Sequence, residues 1–153
     1  MLGLFQKKPV DFFSAEEKAV VTTAIQLAEQ RTSGEIRVYI ENNCPAAEPL
    51  ERASAIFQEL KMNETLARNG VLVYVAMKDK KLAVYGDAGI HEKVGDAFWQ
   101  EAVSKIVLHF NKQNYSEGIA GIVHGIGEAL ATHFPYVAKD DTNELPDEIV
   151  FGK

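Results

Sequence analysis

Apolar and polar positions follow three different periods along this chain. In Glu35-Ile36-Arg37-Val38-Tyr39-Ile40 the apolar residues Ile36, Val38 and Ile40 fall two apart, the pattern of a half-buried strand. From Val71 to Met77 every position is apolar, as in a strand covered on both faces. A charged tetrad, Lys78-Asp79-Lys80-Lys81, separates that run from a second β-prone run, Leu82-Ala83-Val84-Tyr85. Four residues cannot hold a crossover helix, so the two runs are predicted to form an antiparallel hairpin. Elsewhere the apolar residues recur at helical spacing: Val20, Val21, Ala24, Ile25, Leu27 and Ala28; then Ala53, Ile56, Phe57 and Leu60; then Val103, Ile106, Val107 and Phe110; then Ile119, Ile122, Val123, Ile126, Ala129 and Leu130.

Local signals set the boundaries. Ser14-Ala15-Glu16-Glu17 reads as a capping box, and that helix is expected to end near Arg31, before the turn residues Thr32-Ser33-Gly34. Pro49 suits the first turn of a second helix. A short helix is expected over Ile90 to Val94. Asp96 reads as the N-cap of the next helix, with Trp99 and Phe110 buried on it, and Ser116 and Glu117 start the last, which Phe134-Pro135 ends. Strand, helix, strand in succession predicts a right-handed crossover between two parallel strands, with the hairpin strand antiparallel beside them. Helices should cover both faces of this small mixed sheet. Residues 1–13 read as an N-terminal arm docking Phe12 and Phe13, residues 14–137 as the α/β domain, and residues 138–153 as an acidic tail that docks at 149–151 as an edge strand.

Composition narrows the function classes. A chain of 153 residues suggests one domain with a sizeable core. A formal net charge of -6 argues against a general binder of nucleic acid or anionic membranes and is compatible with a cation or a basic partner. The one cysteine, Cys44, excludes an internal disulfide and a site of several thiolates. No run approaches the ~18 apolar residues of a membrane span, which gives the expectation of a soluble, cytoplasmic protein, read here as a monomer.

The connectivity also predicts a meeting point. The two parallel strands start at one end of the sheet, and the antiparallel strand leaves at that same end. Thr32, Ser33, Gly34, Glu35, Arg68, Asn69, Gly70, Gly86, Asp87 and Gly89 should therefore converge. Glu35 and Asp87 bring carboxylate oxygens and the glycines free backbone groups, a chemistry that suits calcium or magnesium. Spacing alone favours reading the same residues as ordinary turn residues, with Arg68 pairing Glu35 or Asp87. His91, close behind Gly89, is a candidate ligand or proton donor; Arg68 and Asn69 are candidate phosphate or loop contacts. No Gly-rich phosphate loop follows the first strand, no histidine pair has the HExxH spacing, and no G-x-S-x-G elbow exists. The lysine turn reads as a solvated hairpin tip.

Thr32-Ser33-Gly34-Glu35-Ile36-Arg37-Val38, Thr65 with Arg68-Asn69-Gly70-Val71-Leu72, Gly86-Asp87-Ala88-Gly89-Ile90, Asp96, Phe110 with Tyr115, and Glu117-Gly118-Ile119 together resemble the TPM domain family over about Ser14 to Pro135. The resemblance implies a three-layer α/β/α sandwich, divalent-cation binding and a weak acid-phosphatase activity. It adds Asp96 to Asp87 and Glu35 as candidate cation ligands. It departs at Gly89-Ile90-His91, where the family's pattern places a glutamate third, and Glu92 stands one position away. Two function readings follow. One is a cation-binding interaction, assembly or repair module that meets an unidentified protein partner. The other is a weak metal-dependent phosphatase in which Arg68 holds the phosphate. The first is preferred because no nucleophile with an adjacent base can be named.

Overall fold

A computed structural model describes residues 7–137 and 149–153. Pro9–Phe12 form a 3-10 turn, and Phe13 behind it is buried in the core with Phe12 packed alongside. Helix α1 (Ala15–Glu29) starts on the expected capping box, with the Ser14 hydroxyl accepting from Glu17 N–H and the Glu17 carboxylate accepting from Ser14 N–H. Strand β1 (Glu35–Glu41) leads to helix α2 (Pro49–Glu59), with Pro49 at its first position. Strands β2 (Gly70–Ala76) and β3 (Lys81–Gly86) form the hairpin. Helices α3 (Ala88–Val94), α4 (Asp96–Asn111) and α5 (Tyr115–His133) follow, and strand β4 (Val150–Phe151) closes the described chain.

The sheet order is β3-β2-β1-β4, with β1 parallel to both β2 and β4 and β3 antiparallel to β2. Every residue of β2 is buried, because the strand is central and both of its faces are covered. On one face Val71, Val73 and Val75 join Ile36, Val38 and Ile40 beneath α1, α4 and α5. On the other, Leu72, Tyr74 and Ala76 meet Ala53, Ile56 and Phe57 of α2. The architecture is thus an α/β/α sandwich with a mixed sheet.

Several local expectations are corrected. Val107, expected in the buried stripe of α4 with Val103, Ile106 and Phe110, is 41% exposed, and Trp99, Ala102 and Ile106 are the buried positions there; in α1 the helically spaced Val20 and Leu27 are likewise exposed, and Val21, Ile25 and Ala28 are buried. Phe110 is half-buried at the last turn of α4, its ring edge-on to Tyr115 at 4.9 Å, whereas Trp99 is buried. Asp96 does not cap α4. It is the first helical residue, and Gly95, with φ of 77°, occupies the cap position. The acidic stretch over 138–148 lies outside the described residues. Among the described residues no helix is long and apolar enough to cross a membrane.

Candidate functional site

The starts of β1 and β2 and the exit of β3 do meet at one end of the sheet. Asn69 carbonyl accepts from Glu35 N–H at 3.4 Å, and Gly70 carbonyl accepts from Asp87 N–H at 2.9 Å. Thr32 folds the loop before β1: its hydroxyl donates to the Phe134 carbonyl and accepts from Gly34 N–H. Asn69 is buried, with Nδ2 donating to Ser33 Oγ at 3.4 Å, so it ties loops together and does not face a cleft.

Arg68 is the pivot of this end. Its backbone is left-handed, with φ of 52°, an uncommon conformation for a residue with a side chain. That turn aims its carbonyl at the start of α3, where it accepts from Gly89 N–H at 2.8 Å and Ile90 N–H at 3.3 Å. The approach requires glycine at 89: a Cβ there would lie 2.2 Å from the Ala67 carbonyl oxygen. Gly86 answers a similar demand, since its Cβ would lie 2.3 Å from the Trp99 ring. The Arg68 side chain doubles back on Asp87, donating from Nε at 2.7 Å and from Nη2 at 2.8 Å. Asp87 is 2% exposed and also caps α3, accepting from Ala88 N–H at 2.8 Å. Its hydrogen bonds and charge hold the Arg68 guanidinium above its ordinary pKa.

Beyond this pair lies a cleft of about 460 Å³, open to solvent. It runs along the outer edge of β3, past Val84, Tyr85 and Gly86. Leu50 at the start of α2 forms one side, and His91, Asp96, Trp99 and Gln100 of α3 and α4 form the other, with Arg68, Asp87 and Ala88 at its end. His91 Nδ1 accepts from the Trp99 indole N–H at 2.9 Å. In the neutral ring this places the proton on Nε2, which lies 3.5 Å from Asp96 Oδ1.

The predicted residues therefore separate into two groups. Arg68, Asp87, His91 and Asp96 share the cleft, whereas Glu35 and Asn69 do not line it. Glu35 and Asp87 flank Gly70 from opposite sides, two strand spacings or about 10 Å apart. Glu35 is buried and has the side-chain parity of Tyr39 and Glu41, toward α2. Both Asp87 oxygens are engaged by Arg68, and Asp96 is 86% exposed beside His91. Among the described residues no three His, Cys, Asp or Glu side chains are grouped so as to hold a metal ion. Glu35, Asp87 and Asp96 do not make one donor set, and a guanidinium stands where a cation on Asp87 would sit.

Sequence reasoning missed Leu50, Tyr85, Trp99 and Gln100, because the cleft is built across a sheet edge whose identity depends on strand order. It also missed a buried polar cluster at the other end. There Glu41 accepts two hydrogen bonds from Arg52, at 2.8 and 3.0 Å, and one from the Tyr74 hydroxyl. Burial, and then the bond to Glu41, push the Tyr74 hydroxyl above its ordinary pKa. Asp79 accepts from the Asn43 side chain and Cys44 N–H, which hold its carboxyl below its ordinary value. The hairpin tip, read as merely solvated, is thus tied to the loop after β1.

Comparison with known proteins places this architecture. The model of the TPM domain matches residues 7–129. The solved BA42 protein of the psychrophilic bacterium Bizionia argentinensis is 42% identical, with a TM-score of 0.83 over 92% of this chain and 96% of that one. The N-terminal domain of a P. gingivalis protein shares the fold at 15% identity, with a TM-score of 0.68 over 82% of this chain and 83% of that one. The N-terminal domain of the cg2496 protein of Corynebacterium glutamicum does so at 13% identity, with a TM-score of 0.58 over 77% and 74%. No curated protein matches.

Proposed function

The chain belongs to the TPM domain family, and from that premise we propose that it works as an interaction module whose binding surface is the cleft between α2, the edge of β3 and the helices α3 and α4. The observation that carries this reading is the cleft itself. It sets the apolar and aromatic groups of Leu50, Tyr85 and Trp99 beside the half-exposed Arg68, the residue types that dominate protein interfaces. Leu50 is 53% exposed and Leu66, two residues before Arg68, is 99% exposed; neither position serves the core. The Arg68–Asp87 pair gives the cleft a fixed wall. Trp99, anchored through His91 and packed on Gly86, gives it a fixed floor.

The phosphatase reading finds less support in this geometry. The cleft is lined by no Ser, Cys or Thr among the described residues, and Asp87 has both oxygens bonded to a guanidinium. The donor arrangement does not fit a three-carboxylate cation site, so no step is assigned to calcium or magnesium.

Trp99 is the sole tryptophan and lines the cleft, which makes its emission the natural readout. The probes are octapeptides selected from a random displayed library on the full chain, with calcium, magnesium and inorganic phosphate in parallel. Selected peptides should shift Trp99 emission saturably, and Leu50→Glu should weaken them at least tenfold. Saturable binding of phosphate, with hydrolysis of p-nitrophenyl phosphate that Asp87→Asn abolishes, would replace the module with an enzyme.

A further inference from the structure

The floor of the cleft hangs on a hydrogen bond that one proton can undo. Trp99 is 8% exposed, edge-on to Phe98 at 5.0 Å and packed against Gly86, and its indole N–H donates to His91 Nδ1 at 2.9 Å. An indole nitrogen only donates, so the bond needs an acceptor on the imidazole. The neutral ring has one. In the imidazolium both nitrogens carry protons, and turning the ring over brings a C–H to Trp99, not an acceptor. Protonation of His91 therefore leaves a buried donor facing a second donor, which is less favourable than simply lacking the bond in water.

The ring is open to protons. The His91 side chain is 46% exposed, so it exchanges with solvent without any unfolding, and imidazole is the side chain that titrates across about pH 5 to 8. Charged and titratable groups stand near it on each neighbouring element. On α4, Asp96 Oδ1 lies 3.5 Å from Nε2 and favours the charged ring, although at 86% exposure solvent screens it; Glu101, farther along, pairs with Lys105. On α3 itself, Asp87 has its charge met by Arg68 of the loop before β2, and Glu92 and Lys93 follow His91 with opposite signs. On β3, Tyr85 lines the same cleft. α5, the other helix packed on α3, carries His124, Glu128 and His133; the first two pair with each other at 2.9 Å, and none of the three lines the cleft.

We propose that protonation of His91 releases Trp99 from its anchor and so weakens partner binding at the cleft, which holds its partner at neutral pH and lets it go in mild acid. The inference rests on the cleft being the binding surface and goes further in naming what regulates it. Anchored, the indole is a fixed face between Gly86 and Phe98. Released, its N–H turns to water to be satisfied, and the ring leaves the position that a partner's contacts require. Linkage makes the effect reciprocal: a partner that needs the anchored ring makes His91 harder to protonate.

The test begins on the free, full chain. NMR follows the His91 ring and the Trp99 indole N–H through a titration across about pH 8 to 5. The indole resonance should move with the same midpoint as the His91 ring. Its protection from exchange, relative to a free indole at each pH, should fall about tenfold, the worth of one hydrogen bond. Trp99 emission alone does not decide, because an imidazolium quenches a neighbouring indole in place. His91→Gln keeps an acceptor in its side-chain carbonyl and gains no proton, so its indole should stay protected throughout. Unchanged protection while His91 titrates, or the same transition in His91→Gln, would overturn the release. The second arm uses histidine-free octapeptides selected on the full chain. They should bind about tenfold more weakly below the His91 midpoint, and equally at both pH values in His91→Gln. Equal affinity on both sides of the midpoint in the native chain would overturn the regulation while leaving the cleft as the binding surface. Failure of any peptide to reach the cleft would remove both readings.

Discussion

Tyr74 sits at the centre of the sheet with its hydroxyl on Glu41, which Arg52 holds from α2. A buried carboxylate is tolerated only when its charge and hydrogen-bonding capacity are met, and here three donors meet them. The consequence is a dependence on alkaline pH. Burial raises the Tyr74 pKa in the folded state above the ordinary tyrosine value of 10.0, and Tyr39, stacked on it, is raised as well, again first by burial. The stabilisation this represents is complete below the unfolded value of 10.0 and is lost as pH rises beyond it, because the unfolded chain releases the proton first. Urea unfolding between pH 8 and 11 should show a midpoint that falls above pH 10. Tyr74→Phe should be less stable at pH 8 by about 1 kcal/mol, a typical hydrogen-bond contribution, and should fall less steeply above pH 10. An identical slope in both proteins would mean that the Tyr74 hydroxyl titrates freely in the fold.

At the scale of elements, Arg68 and Asp87 join the loop before β2 to the start of α3. The pair is asymmetric, with the aspartate buried and the arginine side chain half-exposed. Removing the arginine strands a charge; removing both members does not. Arg68→Met should therefore lower the melting temperature more than the double variant Arg68→Met/Asp87→Asn does. Equal melting temperatures for the two would show that Asp87 is solvated without its partner. This pairing was legible in the sequence as one of two alternatives, because chain direction alone brings Arg68 and Asp87 to one end of the sheet. The elements were legible for similar reasons: β2 from its unbroken apolar run, α1 from its capping box, β3 from a tetrad too short to cross over. Which exposed apolar residues face out, as Val20 and Leu27 do, was not. Helical periodicity gives a face, and its width depends on the neighbour that packs there. Asp96 was misplaced by one position because Gly95, with its positive φ, ends α3 and opens α4 at once.

For the whole molecule the decisive fact is the strand order. Convergence of the strand ends is independent of order, so that end of the sheet could be predicted. The cleft depends on β3 being an edge, on α2 reaching one flank of it and on α4 reaching the other, all of which are long-range arrangements. The same order explains why Glu35 stays apart from Asp87, with β2 between their strands. The fold thus sets an open cleft beside an aromatic floor and a fixed ion pair, and the central claim is that this cleft is where a partner binds. The most direct measurement is an amide-shift map of the full chain with a selected octapeptide. The account predicts shifts centred on Leu50, Arg68, Val84 to Asp87, His91 and Trp99. Shifts centred on Glu41 to Cys44 with Asp79, or in the groove between α4 and α5 around Gly121 and Gly125, would contradict it.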